Sequence, residues 1–95
     1  MDWQLDELDH LSVKQELVDV RTPKECTQGM IPGAVNIPLD ALSGSLGKFS
    51  KNKEYLIYCH AGVRGESACR ILAKGGIKCR NLAGGYLKFL ENRKN

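Results

Sequence analysis

The sequence predicts a single α/β domain with a central, mostly parallel sheet flanked by helices. Strand-like and helix-like segments alternate from residue 17 onward, which is typical of parallel sheets with helical connections. Residues 55–59 form an almost continuous apolar run, as expected for a central strand that is buried on both faces. The length of 95 residues suits one domain and is too short for two, so residues 1–95 are predicted to form one unit.

The first strand and the first helix are predicted from the segment that follows residue 16. Residues 17–20 are mainly apolar and β-branched, which favours a strand. Thr22 can cap a helix, Pro23 suits the first helical position, and Glu25 stands where a capping box requires a glutamate. Gly29 is expected to end this short helix.

Strands, turns and helices continue to alternate along the rest of the chain. The predicted elements are a turn and a short extended piece over 31–38, one or two helical turns within 39–46, the central strand over 55–59, a helix over 66–74, a strand over 77–82, a glycine turn at 84–85, and a final helix over 86–92.

Composition and charge narrow the class of partners. The net charge of +3 is too small to indicate nucleic-acid binding by itself, although it is compatible with a small anionic substrate. The sequence has no long apolar run, and its acidic N-terminus lacks the pattern of a signal peptide. We therefore expect a cytoplasmic protein, or a fragment of one, with neither a membrane nor a nucleic acid as partner.

The four cysteines are predicted to be reduced thiols with separate roles. No pair has the Cys-x-x-Cys spacing of a redox dithiol or a zinc knuckle, and the context does not look secreted. Cys59 and His60 are adjacent on an extended segment, so their side chains point apart and chelate a metal poorly. No metal site is therefore predicted from these cysteines, and no organic cofactor is predicted for the chain. Cys26, Cys69 and Cys79 fall at positions that favour packing roles.

Cys59 is the candidate nucleophile because it ends the central strand just before a glycine-containing loop and a helix. Helix N-termini and nearby cations favour the reactive thiolate form of cysteine. Gly62 lets the loop curl so that its N–H groups point inward, Gly65 keeps the helix entrance uncrowded, and Arg64 adds a planar positive charge. The residues predicted to bind the substrate are His60, Ala61, Gly62, Val63, Arg64 and Gly65.

Three ordered motifs in the chain resemble those of rhodanese domains. The motif Cys59-x-x-Gly62-x-Arg64 resembles the active-site loop of the family. Asp19-Val20-Arg21, with the segment 29–38, resembles its first motif, and the segment 83–86 resembles its closing one. Segments 58–72 and 81–86 look most like the rhodanese domain appended to coenzyme A disulfide reductase-type flavoenzymes.

The resemblance implies a rhodanese fold and a sulfurtransferase activity. Cys59 would take sulfur from thiosulfate, a persulfide or a polysulfide and pass it to a thiophilic acceptor, with Asp19 and Arg21 in supporting polar contacts. The partners implied are a small anionic sulfur donor, a thiol acceptor, and either a protein partner or a parent flavoenzyme. Met30 stands where the family often has histidine, and His60 and Ala61 also depart from common loop residues, which leaves the donor open.

Two other functions remain as alternatives. Low-molecular-weight cysteine phosphatases and arsenate reductases place five residues between the cysteine and the arginine, whereas four stand between Cys59 and Arg64. Rhodanese-like modules that only bind a partner often lack the cysteine, which is present here. The sequence therefore favours sulfur transfer, and it leaves His60 open as an acid or base or as a solvent-facing residue.

Overall fold

The computed structural model describes residues 2–93 and consists of a five-stranded parallel sheet with helices on both faces. The strands are β1 (Asp2–Trp3), β2 (Gln15–Asp19), β3 (Val35–Asn36), β4 (Glu54–Tyr58) and β5 (Lys78–Leu82). Their order in the sheet is β1-β5-β4-β2-β3, and every neighbouring pair is parallel. This architecture confirms the predicted α/β class with a parallel sheet.

Residues 2–93 contain three α-helices and three 3₁₀ helices, which connect the strands except for α3, which follows the last strand. The α-helices are α1 (Pro23–Cys26), α2 (Val63–Lys74) and α3 (Gly85–Arg93), and the 3₁₀ helices span Leu5–His10, Leu39–Ala41 and Ser43–Lys48. The predicted capping box is present: Thr22 Oγ1 accepts a hydrogen bond from the N–H of Glu25, whose carboxylate accepts one from the N–H of Thr22.

The core lies on both faces of the sheet, with β4 in the middle. Ile57 and Cys59 face a cluster that is completed by α2, and Leu56 and Tyr58 face a second cluster that is completed by α3. All four of these side chains are at most 1% exposed. Burial on both faces accounts for the continuous apolar run that predicted this strand.

The N-terminal segment holds the main feature that the sequence did not predict. Trp3 is fully buried, and its Nε1 donates a hydrogen bond of 2.8 Å to the carbonyl O of Ile57. Asp2 and Trp3 pair with β5 as an edge strand. Because this strand has only two residues, it gives no alternating pattern to detect.

Two helices also begin earlier than predicted. Helix α2 begins at Val63 and α3 at Gly85, because the residue before α2, Gly62, and the two glycines at the start of α3 have positive φ angles that turn the chain directly into each helix. Within residues 2–93, no helix is long and apolar enough to span a membrane.

Candidate active site

Cys59 follows the last residue of β4 and lies at the carboxyl edge of the sheet, where ligands bind in α/β folds. Its side chain is 1% exposed. The Sγ atom accepts hydrogen bonds from two backbone amides, the N–H of Gly62 at 3.1 Å and the N–H of Gly65 at 3.2 Å. The sulfur therefore sits in a small pocket of amide donors at the start of α2, an arrangement that stabilises negative charge.

Gly62 makes this curl of the loop possible. Its φ angle is +116°, a region that residues with side chains disfavour. With this φ angle, the N–H groups of Gly62 and Gly65 both face the Sγ of Cys59. A Cβ atom at this position would also lie 3.3 Å from the backbone N of Gly84, in the turn before α3. Any residue with a side chain would therefore strain the loop and push it away from that turn.

Hydrogen bonds from β5 and α3 hold the loop in place. The side-chain Nδ2 of Asn81 donates to the carbonyl O of Gly62 at 3.0 Å. The first amides of α3 donate to the start of the loop, from Tyr86 to the O of Cys59 at 2.8 Å and from Leu87 to the O of His60 at 3.1 Å. The candidate nucleophile is thus fixed by partners that are distant in sequence.

Arg64 forms a two-pronged ion pair with Glu25 from α1. Its Nη1 and Nη2 lie 2.6 and 2.8 Å from the two carboxylate oxygens. The hydrogen bonds from Arg64 lower the pKa of Glu25 to about 2, although partial burial opposes the shift. The guanidinium that the sequence assigned to anion binding is therefore held by a carboxylate at the rim of the loop, and it is half-buried.

Asp19 and Arg21 form a buried ion pair at the end of β2. Arg21 donates to the Asp19 carboxylate through its backbone N, its Nε and its Nη2, the last at 2.7 Å. The Arg21 guanidinium also lies 4.3 Å from the ring centre of Tyr86. The backbone N–H of Tyr86 donates a hydrogen bond to the carbonyl O of Cys59. Through Tyr86 the pair supports the base of the loop without contacting the Cys59 sulfur directly.

The exposed rim of the site is formed by His60, Ala61 and Val63. All three side chains face solvent, and that of Val63 is 73% exposed. A cavity of about 300 Å³ on one side is lined by Ala61, Gly62 and Val63 together with Asn81 and the turn before α3.

A second, largely apolar groove lies on the α1 side of the site. It measures about 410 Å³, and its lining residues are Val20, Thr22, Pro38, Leu39, Asp40 and Arg64. Arg64 therefore borders both the loop and this groove.

The structure brings the predicted loop residues together and adds two that the sequence did not single out for the site. Glu25 was assigned only as a helix cap, and its pairing with Arg64 spans 39 positions. Asn81 lies in a segment used for the family resemblance, but no local pattern predicts the hydrogen bond from its side chain to the carbonyl O of Gly62. No cluster of three or more potential metal ligands among His, Cys, Asp and Glu occurs in the part of the chain that the structure describes.

Comparison with known families identifies this combination of fold and loop. Residues 1–92 match the model of the rhodanese-like domain family. The chain belongs to the rhodanese-like domain family. This result confirms the resemblance inferred from the three motifs, and it assigns the rhodanese fold to the five-stranded sheet.

Similar proteins include sulfurtransferases over most of the chain. A sulfurtransferase of Allochromatium vinosum is 36% identical over 77 residues, which cover 80% of this rhodanese domain and 72% of the relative. The human thiosulfate:glutathione sulfurtransferase is 35% identical over 95 aligned positions, covering 84% of this chain and 83% of the relative.

Solved structures agree with both parts of the inferred resemblance. The human single-domain sulfurtransferase TSTD1 superposes with a TM-score of 0.85 at 33% identity, covering 95% of both chains. The reduced CoADR-RHD of Bacillus anthracis gives a TM-score of 0.82 at 41% identity, but the match covers 90% of this chain and only 15% of that one. Rhodanese domains of this type therefore occur both nearly alone and within much longer chains.

Proposed function

We propose that this rhodanese domain is a sulfurtransferase that carries sulfane sulfur as a persulfide on Cys59. The observation that carries the proposal is the pair of backbone amides that donate to the Cys59 sulfur from Gly62 and Gly65. Amide donors aimed at one sulfur favour its thiolate, the form that attacks electrophilic sulfur. The sulfurtransferase names of several relatives give further support.

The proposed reaction has two steps. First, the Cys59 thiolate attacks the outer sulfur of the donor, the bond between that sulfur and the rest of the donor breaks, and the remainder leaves with the electron pair. The leaving group is sulfite when the donor is thiosulfate and a thiolate when it is a persulfide. Second, an acceptor thiolate attacks the outer sulfur of the Cys59 persulfide and regenerates the Cys59 thiolate. This is nucleophilic catalysis through a covalent intermediate.

The chain's own residues bind and position the reacting sulfur. The loop amides hold the charge of the thiolate and then that of the persulfide, while Asn81 and the first amides of α3 keep the loop in shape. Arg64 contributes a positive charge at the rim while it is paired with Glu25, because its half-buried guanidinium remains partly open to solvent. His60 is exposed beside the loop, which supports a contact with the donor or acceptor as part of this proposal.

Donor, acceptor and setting form the finer part of the proposal. The name of the human relative makes thiosulfate and glutathione the first pair to test. The sequence prediction of a cytoplasmic location fits a carrier with four free thiols, since a reducing compartment keeps them available. A protein acceptor, or a flavoenzyme in the same chain, would use the same rim.

The test is persulfide loading measured by intact mass spectrometry. The protein is incubated with thiosulfate, and separately with glutathione persulfide, beside a Cys59→Ser variant and a Cys26→Ser control. The expected result is a gain of one sulfur atom in the wild type and the control, removed by cyanide or glutathione and absent from Cys59→Ser. No adduct with any donor, in a folded protein whose Cys59 reacts with an alkylating agent, would refute sulfur transfer and direct attention to phosphatase assays.

A further inference from the structure

Two other cysteines face each other away from the loop. Cys69 lies on α2 and Cys79 on β5, and both are half-buried at the edge of the apolar cluster between helix and sheet. The Sγ of Cys79 lies 3.6 Å from the carbonyl O of Cys69. The packing of α2 against β5 therefore brings together two cysteines that are 10 positions apart in sequence.

The thiol pair opens onto a cavity between α2 and β5. This cavity measures about 660 Å³ and is lined by both cysteines. Arg70 and Lys78 also line it with exposed side chains: within the described chain, Arg70 bonds only to the hydroxyl of Ser67, and Lys78 forms no ion pair. Asp2, Glu54 and Glu66 line the cavity as well, so the surface beside the two thiols carries charges of both signs.

The two thiols differ in how readily they ionise. Interaction with the Cys69 side chain lowers the pKa of Cys79, whereas interaction with Cys79, and then burial, raises the pKa of Cys69. Cys26 has no such partner thiol, and burial raises its pKa to about 11. The facing pair therefore combines one nucleophilic sulfur with one nearby thiol that can attack after it.

We propose that Cys69 and Cys79 form a second sulfur-reactive site, a dithiol that inorganic polysulfide oxidises to a disulfide with release of hydrogen sulfide. The Cys79 thiolate attacks the terminal sulfur of the hydropolysulfide ion, whose S–S bond breaks and whose shortened chain leaves with the electron pair. Cys69 then loses its proton to the solvent and attacks the Sγ of the Cys79 persulfide. The Cys69–Cys79 disulfide forms, and the outer sulfur leaves as hydrosulfide. Two thiols are oxidised and one sulfane sulfur is reduced to sulfide.

The reaction is tested in a Cys59→Ser background, which removes the loop cysteine. The protein is treated with sodium tetrasulfide, desalted and alkylated with iodoacetamide, and then examined by intact mass and by peptide mapping without reductant. We expect the loss of two hydrogen atoms, two fewer alkylated thiols, one equivalent of sulfide released, and a cross-linked peptide from α2 and β5 that dithiothreitol separates.

Two matched variants distinguish this site from general thiol oxidation. Cys59→Ser/Cys79→Ser should lose the cross-link, whereas Cys59→Ser/Cys26→Ser should retain it, with circular dichroism showing that both are folded. Separate persulfides on Cys69 and Cys79, or full alkylation of both after treatment, would overturn the proposal. Because Cys59 is absent from every arm, these outcomes are independent of whether the loop transfers sulfur.

Discussion

Replacing Gly65 with alanine tests how closely α2 must approach β5 for the loop to form. A Cβ atom built on Gly65 would lie 1.9 Å from Oδ1 and 2.7 Å from Cγ of Asn81. The Asn81 side chain cannot move aside freely, because it is buried and its Nδ2 holds the carbonyl O of Gly62. We therefore expect the added methyl group to push α2 away from β5. The hydrogen bond from the backbone N–H of Gly65 to the Sγ of Cys59 should weaken as a result.

The expected loss of stability follows from two destabilising contributions and one stabilising contribution. Overpacking a tight site costs about 1–3 kcal/mol, and losing the bond from Asn81 to Gly62 costs about 1–3 kcal/mol more where the groups stay buried. Alanine recovers about 1 kcal/mol of helix propensity relative to glycine. The Gly65→Ala protein should thus be less stable by about 1–5 kcal/mol, and a domain of this size loses about 4–8 °C of melting temperature per kcal/mol.

Thermal unfolding followed by circular dichroism, with persulfide loading measured in parallel, checks this expectation. Gly47→Ala is the matched control, since a Cβ atom at Gly47 meets no atom within 4 Å. Adding Asn81→Ala to Gly65→Ala removes the atoms that clash, so the double variant should be more stable than the two single effects predict. Gly47→Ala should melt at or above the wild-type temperature. If Gly65→Ala does so as well, the inferred close approach of α2 to Asn81 on β5 is wrong.

Three further perturbations test the supporting contacts. Asp19→Asn should lower the free energy of unfolding in urea by about 3–5 kcal/mol, because Arg21 is left as a buried charge without its partner; a loss below about 1 kcal/mol would contradict this. Tyr58→Phe removes the hydroxyl that accepts the buried N–H of the residue at position 31, and should cost about 1–3 kcal/mol in the same assay, whereas an unchanged urea midpoint would show that water replaces it. Glu25 has a folded pKa of about 2 against an ordinary 4.5, so its pairing with Arg64 stabilises the protein above pH 4.5 and is lost as the pH falls towards 2. The urea midpoint of the wild type should therefore fall relative to that of Glu25→Gln over this range, and a constant difference between the two would refute the assignment.

Local patterns predicted the parts of the molecule whose causes are local. The apolar run of β4 reflects burial on both faces, and the capping box at Thr22 and Glu25 closes within one turn of helix. Cys59 could be singled out because strand, loop and helix are consecutive in sequence. For these features the physical cause lies within a few residues, so the sequence is sufficient.

The contacts that hold the loop could not be predicted in the same way, because they join residues that only the fold brings together. Glu25 reaches Arg64 across the sheet edge, and Asn81 reaches Gly62 from β5. Trp3 fills the core beside β5 although its neighbours in sequence, Asp2 and Gln4, are polar. The facing of Cys69 and Cys79 likewise depends on the packing of α2 against β5, since their spacing matches no dithiol motif.

The bonds from α3 to the loop also have a consequence for biosynthesis. A ribosome makes Cys59 well before it makes Tyr86 and Leu87, whose amides hold the carbonyls of Cys59 and His60. Edge strand β1 is likewise synthesised before β5, so it cannot pair with β5 until that strand has been made. A nascent chain that carries the cysteine therefore lacks the donors that shape its loop, and an ordered, reactive sulfur is expected only after the last helix has left the exit tunnel and docked.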